Sequence, residues 1–317
     1  MNKKIVYGIL ALCMVGCVVT KGTTTSYAGY KTEVIKNNVL KEYSGNAEAY
    51  KVPDNVKVIK TNAFAKAKKL KKLIISKNVR NIERDSISCA HNLKQIKVVK
   101  ANKSYSSMDG VLYNKKGTKL YLCPAKKKTL TISDRCKVVN NLENLELEQL
   151  VIGKNVKKIE DYSMQNVKKL KSIRVKSGNK KYCASDGVLF ELNKYTGKKL
   201  VKYPAAKSCK EYNIPEDVAV IGDYAFSYAD IESIVVPENV KLLCENVFYY
   251  TNAKNITFEG KCIDNRYEGN SNSILADQDF SLCKNLQTMT FNDKDAVLPP
   301  VQNSFNWFPE TIKIIYK

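Results

Sequence analysis

A repeated comb of apolar residues constrains this chain more than any other feature. Val56, Ile59, Phe64, Leu70, Leu73 and Ile75 recur 23 positions later as Val79, Ile82, Ile87, Leu93, Ile96 and Val98. That second set recurs after another 77 positions as Val156, Ile159, Met164, Leu170, Ile173 and Val175. A unit this short cannot bury its own apolar face, so units must stack on their neighbours. The comb predicts a solenoid whose coils share one continuous apolar interior. In each Leu-x-Leu stretch the outer residues face that interior and the middle one faces out.

The period is broken twice, in the same way. Residues 99–128 and a second segment near 176–207 both carry Asp-Gly-Val-Leu, at Asp109-Gly110 and at Asp186-Gly187, and both close on Pro-Ala. Strand-like runs on either side of a turn mark each as an inserted β-hairpin. A module, hairpin included, has been duplicated. Because the hairpins break the repeat, they are expected to project from it. A shortened unit lies at 129–154, and two more units follow from Ile214. The segment near 292–317, which holds the chain's Trp307, reads as a closing cap.

Residues 1–28 read as an export signal. Lys3 and Lys4 precede an apolar run from Ile5 to Val19, and Ser26-Tyr27-Ala28 fits a small-x-small cleavage site. Met14-Val15-Gly16-Cys17 offers a second reading, a lipoprotein signal with Cys17 lipidated; an uncleaved anchor is the third. All three place the rest of the chain, 29–317, outside the cytoplasm, with no later transmembrane run.

The repeat residues resemble the Treponema-type, BspA-like leucine-rich repeats. Val56-Lys57-Val58-Ile59, Ala63-Phe64 and Leu70-Lys71-Lys72-Leu73-Ile74-Ile75 carry the likeness, as do Val218 to Phe226 and Ile234-Val235-Val236-Pro237. It extends over about 34–291, with Ile87 and Met164 standing where Phe is usual. The resemblance implies a leucine-rich repeat solenoid, a right-handed curved coil of short parallel strands, on an exported or surface-attached bacterial protein. It also implies adhesion to a host or bacterial surface protein or glycan.

Chemistry has little to work with. His91 is the chain's one histidine, which leaves nothing for a histidine triad or cluster. No glycine-rich phosphate cradle and no Cys-x-x-Cys pair is present, so no cofactor or metal is implied. Cysteines outside the signal are scattered; Cys283 fills a small apolar slot, and Cys183 and Cys209 flank one insertion and could bridge. The reading is a non-enzymatic binding protein.

Formal net charge is +22. Lysines keep sheet surfaces from sticking, and they also attract polyanions such as an anionic wall polymer. Sequence-specific nucleic-acid binding has no motif to support it. Stacked on neighbouring coils, Lys71, Lys94, Lys97, Lys171 and Arg174 would form a basic strand face, interrupted by Glu148. On the insertions, Tyr105 and Tyr195 are the contact candidates, whereas Tyr113 and Phe190 fill equivalent packing slots.

Overall fold

The structure, a computed structural model, describes residues 32–140, 142, 146–194, 197–260, 280–293 and 312–317, and the strand backbone alone at 263–264 and 272–273. The comb folds as a β-solenoid, and no helix occurs among the described residues. Each coil contributes to two ladders. The first is built from four-residue strands such as Lys72–Ile75 and Gln95–Val98, paired in parallel with Leu73 opposite Ile96 and Ile75 opposite Val98. The second uses short strands such as Val58–Ile59 and Asn81–Ile82, also parallel. Outer residues of the first ladder point inward: Leu73, Ile96, Leu150, Ile173, Ile234 and Ile256 are all buried. Between the ladders, six-residue turns carry the Phe slot to the core. The residue two places before that slot takes a left-handed backbone in five units, at Asn62, Asp85, Tyr162, Tyr224 and Asn246. Asn and Asp enter this region readily; the two tyrosines do so at a steric cost.

Both ends described are capped by strands. Glu33–Lys36 folds back antiparallel on Val39–Tyr43 through Asn37 and Asn38, both at positive φ. Lys313–Tyr316 adds in parallel to Thr288–Phe291. Residues 1–31, with the export signal and Cys17, lie outside the described residues, as do Tyr195, Cys262 and Trp307.

The insertions differ from expectation in two respects. Each adds a strand ahead of the hairpin, making a three-stranded meander: Tyr105–Met108, Val111–Asn114 and Lys119–Leu122, then Tyr182–Ser185, Val188–Glu191 and Lys198–Lys202. Asp109-Gly110 and Asp186-Gly187, all at positive φ, make the first turn of each meander. Nor do the meanders project. Their last strands become rungs of the second ladder, Lys119–Leu122 pairing with Val138–Val139 and Lys198–Lys202 with Val218–Ile221.

The middle strands act as walls. Alternation along a strand sends successive side chains to opposite faces. Leu112 therefore packs into the apolar block that holds Leu73 and Ile96, while Val111 and Tyr113 pack into the next one, with Ile173. One module later, Leu189 faces that second block, and Val188 and Phe190 face a third. The interior is thus three apolar blocks parted at two walls. The expected single interior is corrected: an inserted strand with apolar residues on both faces is buried from both sides.

Candidate binding surface

The outward face of the first ladder is less basic than its lysines suggest. At the position directly before these strands, the chain sets acids among a row of lysines: Glu48, Lys71 and Lys94 in one sheet, Glu148 and Lys171 in the next, Glu232 and Lys254 in the third. Lys71 pairs with Glu48, Lys171 with Glu148 at 2.8 Å, and Lys254 with Glu232 at 3.2 Å. Lys128 reaches Glu148 from the other side at 3.3 Å. Lysine partners hold the carboxyls of Glu48, Glu148 and Glu232 below the usual carboxylate range. The row is therefore an ion-pair ladder between coils, and the expected basic stripe is corrected. Lys71 and Lys171 are engaged within it. Lys94, Lys97 and Arg174 are exposed and make no ion pair with a carboxylate among the described residues.

These residues do not form one patch. Lys71, Lys94 and Lys97 belong to one three-stranded sheet, and Lys171 and Arg174 to the next. What the structure brings together is a notch where each meander meets the first ladder. In the first copy the Gly110 carbonyl accepts the Ile96 N–H at 2.8 Å, and Lys127 pairs with Asp109 at 2.8 Å. A groove of about 590 Å³ lies there, with Lys72, Lys94 and Lys97 on its rim. Gly110 is favoured by its backbone, whose φ is +76°, a region that strains residues with a side chain. In the second copy the Gly187 carbonyl accepts the Ile173 N–H at 2.9 Å, and Lys207 pairs with Asp186 at 2.9 Å. Lys171 and Arg174 hold the places of Lys94 and Lys97. The notch occurs twice with two cations each.

Tyr105 serves the architecture. It is half-buried, its hydroxyl accepts the Ile82 N–H at 3.1 Å, and its ring meets Tyr121 edge-on at 5.8 Å. Tyr182 repeats the bond to Ile159 at 3.0 Å. Burial pushes both phenols up, Tyr182 to about 12. Tyr195 falls outside the described residues. Tyr113 and Phe190 are buried packing residues.

Sequence reasoning missed Asn102 and Asn179. The fully buried Asn102 amide donates to the carbonyls of Ser76 at 2.7 Å and Val79 at 2.9 Å, and its oxygen accepts from the Ser104 and Tyr105 N–H groups, both at 2.8 Å. Asn179 makes the matching four bonds. The signal was the shared Asn-Lys-x-Tyr that opens both insertions. Cys183 and Cys209 are not bridged to each other, and Cys283 is buried with its thiol toward the Phe248 carbonyl.

Parallel ladders, the Phe-slot turns and the in-register comb now meet a matching profile. The BspA type leucine rich repeat region matches in six copies, over residues 33–146, 138–185 and 205–296. The chain belongs to the BspA-type leucine-rich repeat family. No curated protein matches it. Among solved structures it is similar to a leucine-rich repeat protein from Eubacterium ventriosum, at 19% identity and TM-score 0.49, covering 80% of this chain and 71% of that one. It is also similar to a leucine rich cell surface protein from Faecalibacterium prausnitzii, at 16% and 0.48, covering 93% and 95%. A third is the pneumococcal vaccine antigen PcpA, at 17% and 0.48, covering 85% and 67%. In this BspA-type solenoid, both notches lie where a meander interrupts the repeat.

Proposed function

We propose that this BspA-type protein is a non-enzymatic, exported binding protein of the bacterial surface, adhesin-like, that holds an acidic protein or glycan segment at its two notches. The repeated pairing of Lys94 with Lys97 and of Lys171 with Arg174 carries this reading. Two notches with cations at matching places, one of them a groove of about 590 Å³, suit an extended ligand with spaced carboxylates or sulfates, since two weak sites on one scaffold bind with greater avidity than either alone. The apolar residues at 1–28 and the family support export. A second reading rests on charge alone: 53 basic residues against 31 acidic ones favour retention on anionic wall polymer.

Salt separates the two. Bulk-charge retention collapses between low and physiological ionic strength; a fitted notch retains part of its affinity. Changing Lys71, Lys94, Lys97, Lys171 and Arg174 together to Ser is expected to weaken binding of poly-glutamate or heparin fragments by at least about tenfold, with melting unchanged. Lys94→Ser, Lys97→Ser and Arg174→Ser together should account for most of that loss, because none of the three has an ion-pair partner among the described residues to leave. Unchanged affinity in the folded quintuple variant rejects the notches as the site.

A further inference from the structure

The two insertions leave two seams, and the seams differ. Elsewhere the Phe-slot turns bond coil to coil: the Phe64 N–H donates to Ser86, Leu142 to Ser163, and Phe226 to Val247. Beyond Ser86, and again beyond Ser163, the meander interrupts this turn ladder.

The second seam is stitched shut. The Lys202 amine donates to the Tyr224 carbonyl at 2.9 Å and to the Ser227 hydroxyl at 2.6 Å. Ser227 in turn donates to the Gln165 carbonyl at 2.8 Å, and the Tyr162 hydroxyl to Glu245 at 2.7 Å. Lys168 lies 3.9 Å over the Tyr228 ring. Only about 50 Å³ remains.

Among the described residues, none of these stitches exists at the first seam. Leu122 stands where Lys202 does, and Asp85 and Ser88 stand where Tyr162 and Gln165 do. A cleft of about 580 Å³ opens there, within the range of small-molecule sites. Tyr121, 38% exposed, occupies the place of Val201 and gives the cleft an aromatic wall backed by Tyr105. Tyr162, 46% exposed, stands at its other side. Ser86 and Ser163 also line it. Both hydroxyls are buried and lack a hydrogen-bond partner, and both replace the alanine that other units hold as Ala63 and Ala225. A buried hydroxyl without a partner is destabilising, so its recurrence here points to something that completes the bond.

We propose that the first seam binds a neutral pyranose oligosaccharide. Tyrosine faces suit the C–H faces of sugar rings, and an unpaired serine hydroxyl both donates to and accepts from a sugar hydroxyl. Of the carboxylates along the cleft, Glu83 is paired with Lys60 at 2.7 Å and Asp85 with the neighbouring Arg84, which leaves Asp161 alone without an ion pair among the described residues and no concentration of charge to select an ionic ligand. The site is independent of the cationic notches and selects a different class of ligand.

Calorimetry of the full chain with maltotetraose, cellotetraose and chitotetraose tests the site. At least one is expected to bind saturably, with affinity retained in about 0.5 M sodium chloride. Tyr121→Ala should weaken it by about tenfold. Ser86→Ala, which restores the residue of other units, should weaken it while raising the melting temperature, and a merely structural serine would give the second effect alone. Leu122→Lys should abolish binding. Absence of saturable binding to all three sugars overturns the proposal. So does binding that survives both Tyr121→Ala and Ser86→Ala, or a preference for an arginine-rich peptide. Loss of sugar binding in the notch variant, with Tyr121→Ala silent, would place the glycan at the notches and also overturn it.

Discussion

At the scale of single residues, Lys202 departs furthest from what a core tolerates. Its amine is sealed among three neutral oxygens, the third being the Ser227 carbonyl at 3.3 Å, and burial lowers its pKa to about 7. An unfolded lysine titrates near 10.4. Between about pH 7 and 10 the unfolded chain therefore holds a proton that the folded chain has released. Stability should rise with pH across that window, and the full penalty stands below about pH 7. The urea midpoint is expected to climb between pH 6 and 9. Lys202→Met should flatten the climb and raise the midpoint at pH 6, since an apolar side chain of similar size carries no charge to desolvate. Parallel pH profiles for the two proteins would show that Lys202 is paired more fully than its three contacts indicate. A lysine at this position gave no warning in the sequence, because Lys occurs throughout the chain and only the closed seam makes this one costly.

At the scale of elements, the meander is held by one side chain per copy. Asn102 satisfies two carbonyls on the preceding coil and orders the entry to Tyr105–Met108. Asn102→Ala should cost about 3 kcal/mol, because it strands buried backbone groups as well as removing bonds. Urea denaturation measures this; a cost under about 0.5 kcal/mol would mean that the apolar wall alone positions the meander. The wall was partly legible. Asp-Gly and the apolar triplets Val111-Leu112-Tyr113 and Val188-Leu189-Phe190 announced strands. Three consecutive apolar residues also carry the information that both faces are covered, which a projecting hairpin would not need. The first strand, Tyr105–Met108, was silent because Ser106 and Ser107 have no strand pattern and are fixed by neighbours.

For the whole molecule, the question is whether charge holds the coils together or pushes them apart. Ion pairs join consecutive coils, as in Lys60 with Glu83, Lys66 with Glu42 and Lys169 with Glu146. Each is reached by solvent and screened, so each contributes little to stability. Against them stands a net charge of +22 carried on one chain. Self-repulsion should win at low salt. The melting temperature is therefore expected to rise as sodium chloride increases from about 10 to 200 mM. A fall would show that the ladders of ion pairs outweigh the excess of lysine.

The sequence by itself determined the coil. An apolar residue every few positions, repeated in register, has one economical burial, and Leu73, Ile96 and Ile173 had to face inward whatever surrounded them. It also marked where the repeat is interrupted. Only the tertiary structure decided what the interruptions do. Whether Lys71 is free or paired depends on Glu48, one coil away. Whether a seam is open or shut depends on contacts such as Tyr162 with Glu245, across 83 residues. Burial preference belongs to a residue and its immediate neighbours, and so it can be read along the chain. Charge balance and cavity shape belong to surfaces that meet only after the coils have stacked.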